Sequence, residues 1–228
     1  MTEGSGSPII AIDGPAASGK STVAITLARR LDLQLVDSGS MYRTVAFLAM
    51  ESRCGSTDEM AVGAIARTVR AEYRAELPGE GQLRVFLGER DVTGEIRSAE
   101  ATGAVSDVSR IPVVREEMVD LQRSMVSRSG AVVEGRDIGT TVFPDATLKV
   151  FLEATAGERA RRRYREYREK GIDANISEVA RQIRKRDEID SSRESSPLAI
   201  PDGALLIDTT EKTVAQVVEE IAEALEDV

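Results

Sequence analysis

The chain has no histidine, no tryptophan and one cysteine, Cys54, among its 228 residues. Without histidine, Ser-His-Asp catalysis, Cys-His catalysis and any histidine-ligated metal are excluded. A single thiol cannot close a disulfide within the chain, and a reducing, cytoplasmic setting is the expectation. Nothing cationic or basic is placed to activate Cys54, which reads as a bystander. No run of about 18 apolar residues is present, so no membrane span is expected. The opening "MTEGSGSP" lacks a basic n-region and an apolar stretch. Residues 1–7 therefore read as a polar tail rather than a secretory signal. The net charge of −9 argues against nucleic acid as a partner. Aspartate, glutamate, lysine, arginine and bound cations are left to do chemistry.

The basic residues that are present are gathered: eleven of the 30 fall between Arg159 and Arg186. In an acidic chain, one basic stretch suggests a small anionic ligand. A chain of this length buries roughly 70–75% of its unfolded surface, enough for one α/β domain with insertions. "PIIAID" (Pro8 to Asp13), "LQLVD" (Leu33 to Asp37), "GAVVEG" (Gly130 to Gly135), "TLKVFLEA" (Thr147 to Ala154) and "GALLID" (Gly203 to Asp208) are short apolar runs of strand length. Helical spacing marks Lys20 to Leu31, Ser40 to Met50, a less clear stretch from Thr57 to Val69, and a helix opened by Pro112 in which Val114, Met118, Leu121 and Met125 share a face. Further helices are Glu158 to Lys170, residues 176–190, and a last one striped by Val214, Val217, Val218, Ile221 and Leu225. Asn175 with Glu178 resembles a capping box. Strands alternating with helices predict a parallel sheet covered on both faces. Between residues 69 and 97 the period changes to two, broken by "PGEGQ" and "GER", which predicts a small antiparallel insert. "SSRESSP" (Ser191 to Pro197) is a short polar loop.

Gly14, Pro15, Ala16, Ala17, Ser18, Gly19, Lys20 and Ser21 fit G-x-x-x-x-G-K-[ST], and Thr22 follows. The motif stands between a predicted strand and a predicted helix, the context that it needs. Its glycines let backbone N–H groups turn inward around phosphate oxygens, and the helix N-terminus adds its dipole. Lys20 reaches the β and γ phosphates, and Ser21 can ligate Mg²⁺. A nucleoside triphosphate with Mg²⁺ follows, but the class stays open between a switch GTPase, a motor ATPase and a small-molecule kinase. No guanine-reading N-K-x-D is present, and neither "LQLVD" nor "ALLID" is followed by Glu. Arginines beside short polar motifs favour a kinase: Arg43 in "DSGSMYR", Arg115 in "PVVRE", Arg136 in "EGRD", and Arg186 with Arg193 in "RDEIDSSR". Arginine forks bind phosphate bidentately, and phosphoryl transfer needs such clamps. Arg186, Asp190 and Arg193 share a face if helical.

Taken in order, "IDGPAASGKST", "DSGSMYR", "EGRDIGTTVFPDA" and "RDEIDSSR" before "PL" closely resemble the bacterial cytidylate kinases, from about Ile9 to the C-terminus. The resemblance implies a P-loop nucleoside monophosphate kinase fold: a five-stranded parallel sheet, a monophosphate-binding insert over about residues 40–110, and a helical lid over about 156–172. The activity it implies is transfer of the ATP γ-phosphoryl group to CMP or dCMP by a monomer. By position, Ser38, Arg43, Arg136 and Arg193 would hold the acceptor phosphate, and Ser106, Arg115 and Asp137 would read cytosine. Arg186 and Asp190 would hold the sugar and bridge to the phosphates, and Gly14 to Thr22 would hold ATP. Lys20, Arg136, Arg186 and Arg193 would carry the electrostatic part of catalysis. One departure is Glu134, where some relatives have Asp; it is assigned no catalytic role.

Arginine facing N3 and O2, with a carboxylate facing the N4 amino group, complements cytosine. Uracil would set like against like at both places. Asp37 either holds Mg²⁺ through water or bonds the phosphate loop. Arg159, Arg161, Arg162, Arg163 and Arg165 point around their helix, so only some can face phosphate, and Tyr164 and Tyr167 could pack beneath the lid.

Overall fold

The computed structural model describes residues 7–55, 58–126, 129–169, 171–192 and 196–228. Its centre is a parallel sheet of five strands: β1 (Ile9–Asp13), β2 (Gln34–Asp37), β6 (Ala131–Glu134), β7 (Leu148–Glu153) and β8 (Leu205–Asp208), in the order β2-β6-β1-β7-β8. Ile10, Ala11 and Ile12 are fully buried, as strands covered on both faces must be. Register sets Asp37 opposite Glu134 and Glu134 opposite Ile12. Asp13, Asp37 and Glu134 therefore end their strands side by side at the carboxyl edge, where open α/β sheets bind ligands.

The helices are α1 (Lys20–Leu31), α2 (Ser38–Glu51), α3 (Glu59–Glu72), α4 (Ala99–Val108), α5 (Pro112–Met125), α6 (Ala156–Glu169), α7 (Ile176–Ser192) and α8 (Val214–Glu226). Local chemistry sets several starts. Asp37 caps α2 by accepting from the Ser40 N–H at 2.9 Å, which moves the helix start from the predicted Ser40 to Ser38. Pro112 opens α5 at a position where its missing N–H costs nothing. Thr213 and Gln216 form a capping box on α8. The box predicted for α7 is half made: Asn175 accepts from the Ser177 N–H at 2.8 Å, while Glu178 pairs with Arg181 at 3.2 Å. The predicted Thr57 start lies outside the described residues, and α3 runs from Glu59.

The antiparallel insert is three short strands, β3 (Tyr73–Glu76), β4 (Arg84–Leu87) and β5 (Arg90–Asp91). A one-turn helix at Glu95–Arg97 follows, and then α4, which sequence periodicity did not reveal. The chain of "RDIGTTV" coils into a π turn, Ile138–Val142. Asp13 holds that turn by accepting from the N–H groups of Ile138 (2.9 Å) and Gly139 (2.7 Å).

Burial pushes the Asp13 carboxyl up to about 6, partly offset by those two N–H groups. The unfolded value is near 4, so between about pH 4 and 6 the folded state binds more protons. The contribution of Asp13 to stability therefore falls as pH rises through that window. In Asp13→Asn this fall should vanish, and denaturant midpoints measured from about pH 4 to 6.5 should show a flatter slope than the parent's. An unchanged slope would mean that Asp13 is ionised throughout.

Gly14 has φ +146°, and a Cβ there would meet the Leu152 carbonyl oxygen at 2.1 Å. Both partners are backbone, so neither yields. Gly14→Ala is expected to lower stability by about 3 kcal/mol or more, read as the urea midpoint.

Candidate active site

A cleft of about 1170 Å³ opens over the carboxyl edge of the sheet. One wall is the loop between β1 and α1. Gly14, Ala17 and Gly19 adopt positive φ (146°, 60° and 98°), the alternation that turns successive N–H groups toward one point. Lys20 is buried and donates to the Pro15 carbonyl at 2.7 Å and to Ser18 Oγ at 3.4 Å. Burial, reinforced by the nearby Arg136, holds its ammonium well below the usual lysine range, against the pull of Glu134 and Asp13. Ser21 Oγ donates to Glu134 Oε1 at 2.5 Å. Burial and the neighbouring Asp37 push the Glu134 carboxyl up.

The carboxylate bonded to the phosphate loop is thus Glu134. Asp37 is engaged elsewhere, capping α2 and pairing with Arg43 Nη2 at 3.0 Å. Ser21, Glu134 and Asp37 offer hard oxygen donors. Among the described residues no cluster of three or more His, Cys, Asp or Glu could cage a metal. That donor set fits Mg²⁺, which takes one or two protein oxygens and fills the rest with phosphate oxygens and water.

Arginines form the middle of the cleft. Arg136 Nε donates to Asp190 Oδ2 at 3.1 Å, and Arg186 Nε lies 3.9 Å from the same oxygen. Burial, and then Arg136, pushes the Arg186 guanidinium down to about 10. The Nε atoms of Arg43 and Arg186 are buried without a hydrogen-bond partner among the described residues. Donors outnumber acceptors here, and an anion would complete them.

At the far side, Arg115 Nη2 donates to Asp137 Oδ2, both residues buried and both lining the cleft. The Arg115 guanidinium lies 6.0 Å from the centre of the Tyr42 ring. Ser38 lines the cleft and donates to the Glu134 carbonyl at 2.7 Å. Ser106 is buried in α4, but the α4 side chains lining the cleft are Thr102 and Val105, followed by Ser109 just beyond the helix. Arg193 lies outside the described residues.

Several cleft residues carry no sequence signal. Arg97 lines the cleft and donates to the Leu83 carbonyl at 2.7 Å; burial, with Arg43 nearby, lowers its pKa. Thr209 Oγ1 donates to the Ser18 carbonyl at 2.9 Å. Of the lid arginines, Arg161 and Arg163 pair with Glu158 and Glu166; Arg162 also pairs with Glu158 through Nε at 3.1 Å, and its Nη1 reaches the Ser18 carbonyl at 3.3 Å. Tyr167 packs on the small apolar cluster of α6 and α7.

A phosphate loop at the head of β1 in a parallel sheet, facing a cluster of arginines that share few carboxylates and keep the Nε atoms of Arg43 and Arg186 without a hydrogen-bond partner among the described residues, defines a P-loop phosphotransferase. The family model for cytidylate kinase matches residues 10–227. The chain is 46% identical over 216 residues to the cytidylate kinase of Caldanaerobacter subterraneus subsp. tengcongensis, covering 95% of this chain and 93% of that one. It is 43% identical over 216 residues to the cytidylate kinase of Carboxydothermus hydrogenoformans, covering 95% and 96%. An uncharacterized protein from Eubacterium ventriosum ATCC 27560 matches 97% of this chain and 99% of its own with a TM-score of 0.51 at 10% identity, a likeness of fold alone. The chain belongs to the cytidylate kinase family. Among the described residues no helix is long and apolar enough to cross a membrane.

Proposed function

We propose that this chain transfers the γ-phosphoryl group of ATP to CMP and dCMP. The observation that carries the reading is the buried Arg115–Asp137 pair in the same cleft as the phosphate loop. Arg115 donates to N3 and O2 of cytosine, and Asp137 accepts from its N4 amino group. Uracil presents N–H to Arg115 and a carbonyl to Asp137. Each unpaired buried polar group costs about 1–3 kcal/mol, so CMP is preferred over UMP by one to several powers of ten.

Phosphoryl transfer needs in-line placement and charge neutralisation rather than covalent help. The loop Gly14 to Thr22 binds the ATP phosphates through backbone N–H groups. Lys20 neutralises the transferred group. Ser38, Arg43, Arg136 and Arg193 hold the acceptor phosphate, and Arg186 and Asp190 join the acceptor sugar to it. Ser106, from α4, joins Arg115 and Asp137 in reading cytosine. Ser21 and, through water, Asp37 would hold Mg²⁺, which would screen charge on the donor phosphates. Burial and the neighbouring Arg136 destabilise the Lys20 ammonium, and incoming negative charge offsets Arg136 and Arg186. Closure of α6 and α7 keeps water from the γ-phosphate. The reading includes a monomer in a reducing cytoplasm.

The test is ADP release from Mg·ATP with CMP, dCMP, UMP, AMP and GMP supplied in turn. Release driven by CMP and dCMP is the expected result. Release that ignores the acceptor would leave a nucleotide-hydrolysing switch instead.

A further inference from the structure

We propose that Arg159 is a positioning residue for ATP, setting the shape of the phosphate loop from the root of the lid helices. This rests on Gly14 to Thr22 being the ATP phosphate site. A loop that offers its N–H groups to phosphate must turn the matching carbonyls away. In this chain the Pro15, Ala16 and Ser18 carbonyls accept from side chains. Arg159 Nη1 donates to the Ala16 carbonyl at 3.2 Å. The Ser18 carbonyl accepts from Thr209 Oγ1 at 2.9 Å and from Arg162 Nη1 at 3.3 Å. Between them Ala17 sits at φ +60°, a conformation disfavoured for a residue with a side chain. The loop therefore needs outside support to keep its shape.

Arg159 is buried and, unlike Arg162, does not line the cleft. It acts through the loop rather than on nucleotide. Its Nε donates to the Ala154 carbonyl at 3.1 Å, and Nη1 pairs with Asp187 of α7 at 2.7 Å. Ala17 also packs on Ala160, Val179 and Ile183, an apolar cluster of α6 and α7 separate from the main core. Both lid helices thus meet the loop at Ala16 and Ala17. Asp187 adjoins Arg186, so the helix that faces the acceptor also anchors the donor loop. Without Arg159, the Ala16 carbonyl is free to turn inward, where it repels phosphate.

Arg159→Met keeps the apolar stem and removes the donors. Mg·ATP and CMP are titrated separately onto parent, Arg159→Met, Arg159→Lys and Asp187→Asn, with a thermal melt of each. Arg159→Met should weaken ATP about tenfold to a hundredfold and leave CMP within about threefold. Arg159→Lys should recover part of the loss, and Asp187→Asn should weaken ATP in the same direction by about threefold. Equal weakening of ATP and CMP, or ATP binding as in the parent, overturns the proposal. Should Arg159→Met fail to fold, Asp187→Asn decides by the same criterion. A parent that binds no ATP overturns the reading of the loop instead.

Discussion

Replacing Lys20 with methionine is expected to cut kcat by about a hundred- to a thousandfold while leaving the melting temperature unchanged or raised. The two halves have one cause. Lys20 is 4% exposed, and its ammonium is destabilised first by burial and then by Arg136 and Arg186. A buried cation beside other cations stabilises the fold little, and an apolar side chain of similar length fills the same space. Methionine gives up the hydrogen bond to the Pro15 carbonyl (2.7 Å) and the attraction of Glu134 and Asp13, but it also removes the burial cost of the cation and the repulsion from Arg136 and Arg186. The charge matters when phosphate arrives, because a preorganised cation in a water-poor site stabilises charge on the transferred group. The check is a steady-state rate at saturating ATP and CMP, paired with a thermal melt. A kcat within about threefold of the parent would remove Lys20 from the chemistry. A collapse in melting temperature would make its role structural.

What the sequence made legible was local. Strand, loop and helix from Ile9 to Leu31 are contiguous, so glycine spacing and apolar runs carry them, and α1 begins and ends where its periodicity predicts. Arg186 and Asp190 share a turn of α7 because i, i+4 spacing needs no tertiary information. The illegible parts depend on partners far away in the chain. Asp13 looks like the last residue of a strand, and its bonds to Ile138 and Gly139 span 125 and 126 residues. Glu134 drew no role from its position, yet it is the acceptor for Ser21 across 113 residues. The lid arginines could not be apportioned while Asp187 and Thr209, which select Arg159 and Arg162, were not known to be neighbours. Helix α4, "AEATGAVSDV", is rich in small residues and buries only Ala101, Val105, Ser106 and Val108. It lacks the wide aliphatic stripe that periodicity detects. Its cleft-lining residues Thr102 and Val105 were hidden with it.

The Arg115–Asp137 pair should separate stability from recognition. Arg115→Met leaves the Asp137 carboxylate buried without its cation, which costs about 3–5 kcal/mol and lowers the melting temperature by about 6–20 °C in a chain of this size. Asp137→Leu strands Arg115 in the same way. The double variant Arg115→Met/Asp137→Leu removes both charges, and its melting temperature should stand above that of either single variant, because an apolar pair of similar volume substitutes well for a buried ion pair. Activity should not follow. The base contacts are lost in the double variant as in the singles, and kcat/KM for CMP should fall by about 10²–10⁴ in all three. The preference for CMP over UMP should shrink with it, since nothing then distinguishes the N3 and N4 edges. Recovery of stability without recovery of CMP selectivity would assign the pair to recognition. A double variant that still prefers CMP as strongly as the parent would mean that other groups read the base.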